Sequence, residues 1–241
     1  TLESSSAASD VYKRQAIISD VHDWHTEKIE FFLKKNECNV TRLKFRDIEL
    51  KFTENKKFFF NKNIQKLDAV WVRFLNGQSL EEITTKLTYL HLLNEQNIYV
   101  HNSAITIEKT VDKVRTSGLL KINRILSPDT HIWVGEKKKK IIEKDSLLKP
   151  IFGSQGKGII LVNKNTNLSE IKSSGNVFYL QNFVGKIKDQ KFSDLRVLVS
   201  NHKVIASMER ESNSFLTNVY QGASYHSCLL YTSPSPRDTR R

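Results

Sequence analysis

The chain has only two cysteines in 241 residues, Cys38 and Cys228, which leaves neither a disulfide framework nor a cysteine-built metal cluster. Thiols this sparse suit a reducing cytoplasm. No stretch approaches the roughly 18 apolar residues of a membrane-crossing helix, and the start lacks the positive-then-apolar order of a secretory leader. No membrane partner is expected. Acidic residues are also scarce, 26 against 38 Lys and Arg, for a net charge of +12. That surplus is scattered through segments such as KKNECN, TENKKFFFNKN and GEKKKKIIEK, the texture of a solvated surface. It attracts polyanions, nucleotide phosphates included, but gives no reason to read bases, so nucleic acid is not the partner expected.

With 39% hydrophobic and 27% charged residues, the composition is that of a soluble globular protein with room for one large domain or two to three small ones. The ends differ from the body. TLESSSAASDVYKRQ (1–15) has no periodicity, and SCLLYTSPSPRDTRR (227–241) sets two Ser-Pro pairs beside three arginines. Both look like adaptor sequence and are set aside as non-native tails, with a natural disordered extension as the alternative.

The body divides near residue 100. In 16–100, AIISD reads as a short strand and HTEKIEFFLKKNE as a helix. LDAVWVRF (67–74) is a buried strand by its β-branched and aromatic run. SLEEITTKLTYLHLLNEQ (79–96) opens on Ser79 with Glu82 three residues on, a capping box, and Leu80, Ile83, Leu87, Leu90 and Leu93 make its apolar face. IYVHN is the next strand, completing a βαβ unit and hence a parallel α/β sheet. In 101–226, a helix through KTVDKVRTSGLLKINRIL is followed by short strands in HIWVG, SLLKP, GIILVN, VFYLQNFV, DLRVLVS and KVIASMERE, with a helix NLSEIKSS among them. This half is α+β with antiparallel sheets.

Three of the nine glycines fall within KPIFGSQGKGI, as Gly153, Gly156 and Gly158. Such a cluster is either a plain turn or a hairpin whose backbone N–H groups approach phosphate oxygens. It is not a Walker A loop, because Gly158 replaces the hydroxyl residue after the Gly-Lys pair. Lys149 ends an apolar strand, where a buried ammonium calls for an anion, either a structural carboxylate or an acidic ligand. Asp194 and Arg196, two apart in DLRVLV, share one strand face, with Leu195, Val197 and Val199 on the other. Glu209, Arg210 and Asn218 follow.

In that order VDKVRT, LLKPIFGSQGKGI, YLQNFV, SDLRVLV, VIASMERES and SFLTNVYQGA resemble the ATP-grasp fold in its RimK-like α-L-glutamate ligase branch. The upstream VRFLNGQSLEEI and YVHNSAITIEKTVDK are similar to members that glutamylate tetrahydromethanopterin-type cofactors. The resemblance implies a pre-ATP-grasp α/β domain followed by an incomplete ATP-grasp domain. It implies a carboxylate–amine ligase that uses ATP with Mg2+ or Mn2+, a carboxylate substrate and an amino-acid amine, glutamate; homo-oligomerisation is left open. It also implies roles. Lys113 and Lys149 contact ATP phosphates, and Gly153, Ser154, Gln155, Gly156, Lys157 and Gly158 form a lid over them. The backbone of Gln181, Asn182, Phe183 and Val184 pairs with adenine, and Asp194 lies near the ribose. Arg196 and Arg210 face the transferred and acyl phosphates, and Asn218 sits at the nucleotide end. Asn182 and Leu216 stand where relatives carry a glutamate and an arginine. The family's metal ligands, an Asp and then a Glu-x-Asn, are expected beyond His226, so no metal ligand is assigned and the chain as it stands is expected to be inactive.

Overall fold

The computed structural model describes residues 14–54, 58–60, 64, 66–75, 79–135, 142–153, 155–171, 174–188 and 191–228. Most of both tails lies outside them. Arg14 and Gln15, however, belong to the first strand, which therefore begins inside the stretch set aside as a tail.

The chain forms two units, up to Thr110 and from Val111. The first contains β1 (Arg14–Ser19), α1 (Trp24–Lys35), β2 (Asn39–Leu43), β3 (Leu50–Phe52), β4 (Phe58–Phe60), β5 (Ala69–Phe74), α2 (Leu80–Glu95), β6 (Tyr99–His101) and α3 (Ala104–Val111). Four strands make a parallel sheet in the order β2-β1-β5-β6, as the βαβ reading expected, and β3 and β4 pair as a separate hairpin. Central β1 is buried from Gln15 to Ser19, which is why its apolar run does not alternate. One sheet face carries Ala16, Ile18, Val70, Val72 and Val100 against Leu90 and Leu93 of α2 and Ala104 of α3. That packing places α3 in the first unit and moves the division from near residue 100 to 110/111.

Ser79 Oγ accepts from Glu82 N at 3.1 Å as the cap of α2, while the Glu82 carboxylate reaches Lys86 Nζ at 2.7 Å. The apolar face of α2 is shorter than its sequence pattern: Leu90 and Leu93 are in the core, but Leu80, on the first turn, is 67% exposed. On the opposite sheet face Glu30 of α1 pairs with Arg42 of β2, which lies across from Ile17.

The second unit contains α4 (Lys113–Ile122), β7 (Thr130–Val134), β8 (Ser146–Lys149), β9 (Ile160–Val162), β10 (Val177–Asn182), β11 (Lys186–Lys188), β12 (Lys191–Ser200), β13 (Lys203–Ser212) and β14 (Ser224–Ser227). The single helix expected through 109–126 is broken at Asp112. Its carboxylate accepts from Val114 N and Arg115 N and so caps α4. In NLSEIKSS the described residues form a 3-10 turn, Leu168–Glu170, with Leu168 in the core, and Ser174 starts a second, Ser174–Asn176; Lys172 and Ser173 lie outside the described residues. Two antiparallel sheets follow, β7-β10-β8-β9 and β11-β12-β13-β14. The first packs Leu148, Phe178, Leu180 and Val162 around Trp133, with Trp133 and Phe178 stacked at 4.9 Å. In the second, Asn201 and His202 take φ of 45° and 61° and close the long β12–β13 hairpin with two left-handed residues, the turn that matches strand twist. Leu195 and Val197 do lie on the face opposite Asp194 and Arg196, yet both are exposed.

Candidate functional site

Strand alternation in β8 sends Leu148 into the core and Lys149 to the other face. There Lys149 lies opposite Tyr179 on β10, and its Nζ donates to Gln181 Oε1 at 2.7 Å. Gln181 is held in turn: its Nε2 donates to Thr130 Oγ1 (2.9 Å) and to Tyr179 OH (3.1 Å), and that hydroxyl meets Ser117 Oγ at 2.6 Å. Gln181 drew attention for its backbone; the structure gives its side chain the task of orienting Lys149.

Lys113, the first residue of α4, donates to the carbonyls of Ile151 (3.1 Å) and Gly153 (3.2 Å). The structural-carboxylate alternative for Lys149 is not what is found. Among the described residues neither lysine has a carboxylate at ion-pair distance; their partners are neutral oxygens. Burial pushes the pKa of Lys149 below the ordinary lysine value, and the charge of Lys113 pushes it further. Burial likewise lowers Lys113, with Asp112 opposing. Two half-buried ammonium groups that repel each other form a site prepared for an anion.

The glycine stretch turns back beside them. Gln155, Gly156 and Gly158 all have positive φ, and Gln221 Nε2 donates to Gln155 O at 3.3 Å. Lys157 Nζ lies 5.5 Å from the centre of the Tyr220 ring. Ser154 lies outside the described residues. Gly156 is in close contact with Asn218: a Cβ added there would come within 2.7 Å of Asn218 Oδ1 and 3.3 Å of Leu216 Cδ2, at φ +76°. Gly156→Ala should therefore undock the loop, the left-handed backbone alone costing about 1–2 kcal/mol. Limited trypsin digestion should then cut faster after Lys157; an unchanged rate at that bond would mean the loop is not held by this contact.

On β12 and β13, Asp194 and Arg210 are directly opposed, and Arg210 forks onto the carboxylate through Nε (2.7 Å) and Nη2 (2.5 Å). Thr217 Oγ1, buried and not singled out in the sequence although adjacent to Asn218, donates to the same carboxylate at 2.8 Å. Burial acts to raise the pKa of Asp194, but the bonds from Arg210 and Thr217 and the charges of Arg210 and Arg196 outweigh it and hold the group below the usual aspartate value. Arg196 lies on the same strand face and is exposed.

A cavity of about 660 Å³ brings together Lys149, Gln181, Asp194, Arg210 and Asn218, and Asn182, Phe183 and Val184 also line it. Backbone N–H groups of Asn182 and Phe183 are taken by the carbonyls of Asp129 and Asp145, both at 2.9 Å. Lys113, Arg196 and the glycine stretch are outside the lining.

The RimK-like ATP-grasp domain matches residues 110–232, just over half of the chain. The chain belongs to the RimK-like ATP-grasp family. A tetrahydromethanopterin:alpha-L-glutamate ligase of Methanococcus maripaludis is 29% identical, over 90% of this chain and 76% of the relative. The enzyme of the same name from Methanocaldococcus jannaschii is also 29% identical, over 71% of this chain and 61% of its own length, so this chain spans less than two thirds of that relative. A coenzyme gamma-F420-2:alpha-L-glutamate ligase of M. maripaludis is 26% identical, over 65% of this chain and 58% of the relative. In fold, the chain is similar to the RimK domain ATP-grasp protein of Sphaerobacter thermophilus, with a TM-score of 0.55, 15% identity and coverage of 80% and 71%. It is similar also to D-alanine–D-alanine ligase of Bacillus anthracis complexed with ATP, with a TM-score of 0.53, 12% identity and coverage of 90% and 71%.

ATP-grasp proteins use a divalent cation with the nucleotide. Of the carboxylates at the cavity, Asp194 is engaged by Arg210 and Thr217, and Glu209 pairs with His226 at 3.3 Å. Glu209, Glu211 and His226 bring their ligand atoms within 4.8 Å of one another, but strand alternation puts Glu209 and Glu211 on the face away from Asp194. The described residues do not fit a divalent cation beside Lys149.

Proposed function

We propose that the chain carries the nucleotide site of an ATP-dependent carboxylate–amine ligase that adds L-glutamate to an acidic acceptor. The observation that carries this reading is the pair Lys113 and Lys149, half-buried, mutually repelling and, among the described residues, joined only to neutral oxygens. A triphosphate supplies the missing anion. The related glutamate ligases supply the reaction class.

In that reaction a carboxylate oxygen of the acceptor attacks the γ-phosphorus, and the bond to the β–γ bridging oxygen breaks to release ADP. The glutamate amine then attacks the acyl phosphate carbonyl, losing a proton and expelling inorganic phosphate to leave an amide. Phosphoryl transfer asks mainly for positioning and charge neutralisation. Lys149, aimed by Gln181, and Lys113, at the start of α4, hold the phosphates. Phe183 and Val184 offer an apolar wall for adenine beside the cavity, and Asn218 links the glycine stretch to it. Arg196, exposed and unpaired with Asp194 by any direct hydrogen bond, remains for the charge that develops on the transferred group. Docking of Gln155–Gly158 keeps water from the acyl phosphate.

The test is titration of the full chain with the fluorescent nucleotide mant-ADP. Saturable binding displaced by ATP is expected. No saturation at millimolar nucleotide, or binding that ATP cannot displace, would remove the reading.

A further inference from the structure

The first unit carries a cavity of about 340 Å³ at the carboxyl ends of its parallel strands. Its position follows from topology. The β1–α1–β2 connection runs to one side of the sheet and the β5–α2–β6 connection to the other, and the cavity lies between α1 and the ends of β5 and β6. On the face that α1 shares with β1 and β2, the ends of β5 and β6 stay open and present Trp71, Arg73 and His101.

The lining has two characters. The rings of Trp71 and His101 meet at a 59° tilt with centres 4.7 Å apart, and Trp24, on the first turn of α1, lines the same cavity and is 63% exposed. An exposed indole at a cavity mouth is surface that a planar ligand could cover. Lys28 lies 5.7 Å from the Trp24 ring centre, and Arg73 reaches in from β5. Among the described residues the Arg73 guanidinium is under-satisfied: Nε is buried with no hydrogen-bond partner, and the acidic Asp23 is 3.8 Å from Nη2 and shared with His25. Aromatic faces give stacking area, and the arginine fork matches a carboxylate.

We propose that this cavity binds the planar heteroaromatic part of a carboxylate-bearing small molecule, the ring against Trp24 and Trp71 and the carboxylate toward Lys28 and Arg73. It does not depend on the ligase reading. The volume suits a small ring system at the low end of ligand cavities.

Calorimetric titration of the nucleotide-free full chain with pterin-6-carboxylate tests it. Saturable binding is expected, weakened at least tenfold in Trp24→Leu and in the double variant Lys28→Gln, Arg73→Gln. Trp24 is exposed and Arg73 Nε is unpartnered, so neither change removes a core contact. Absence of saturable heat, or equal affinity in both variants, would overturn the proposal. Displacement of the pterin acid by AMP at equal concentration would also overturn it, by showing a phosphate rather than a carboxylate preference at this cavity. Failure of the ligase reading would appear separately, as lost mant-ADP binding with this titration intact.

Discussion

Lys149→Met is expected to lower affinity for ADP about a hundredfold without lowering the thermal midpoint of the empty chain. Charge-assisted hydrogen bonds contribute about 1.5–3 kcal/mol, and about 3 kcal/mol is two decades of affinity. The stability half of the prediction follows from the sign of the pKa shift. Burial first, and Lys113 second, hold Lys149 below the ordinary lysine value. The charged folded state therefore carries a penalty, fully present below the lowered pKa and relieved as pH rises through it. At neutral pH methionine removes that penalty and keeps the apolar stem. The lost bond to Gln181 works against this, but Gln181 retains Thr130 and Tyr179. Nucleotide affinity in the parent should weaken as pH climbs through the same lowered pKa, because bound phosphate favours the protonated lysine. Mant-ADP titration and ligand-free thermal melts decide it. Unchanged affinity would take Lys149 off the phosphates; a large fall in midpoint would make its bond to Gln181 structural.

Arg210→Ala should destabilise the chain by about 2 kcal/mol, and Arg210→Lys should not restore it. Breaking a buried pair costs about 3–5 kcal/mol; Asp194 keeps 40% of its side chain exposed, which places this pair lower. Lysine keeps the charge but cannot reproduce the two parallel bonds to Asp194. The pH dependence is a second readout. Asp194 has a lowered folded pKa, so its contribution is present above the ordinary aspartate value and lost as pH falls through the folded one. The stability gap between parent and Arg210→Ala should therefore narrow in acid. Urea melts at neutral and acidic pH measure it; a gap independent of pH would assign the loss to packing of the arginine stem.

Both predictions concern residues whose chemistry the sequence advertised and whose partners it did not. Asp194 and Arg196 were paired by spacing, and that spacing does put them on one face. The bond that forms, however, joins Asp194 to Arg210, because the register shift between Leu198 and Val199, added to the two-residue turn at Asn201–His202, brings Arg210 rather than Glu209 opposite Asp194. Lys149 was visible as a cation ending an apolar strand, but nothing local marks Gln181, 32 positions on, as its partner. The break at Asp112 was hidden because the apolar pattern continues across it, while a side chain capping two N–H groups is a choice between competing local bonds.

The sequence by itself determined most of the larger elements, the parallel first half, the antiparallel second half, and the motif order that places the chain in the RimK-like ATP-grasp family. These follow from side-chain periodicity, turn chemistry and short motifs, which are local. Tertiary structure alone decided which charges meet, that α3 packs in the first unit, that two lysines come close enough to repel, and that an under-satisfied arginine faces open indole at the strand ends. Those depend on strand register and layer packing, where residues far apart in the chain become neighbours and burial changes what a charge costs.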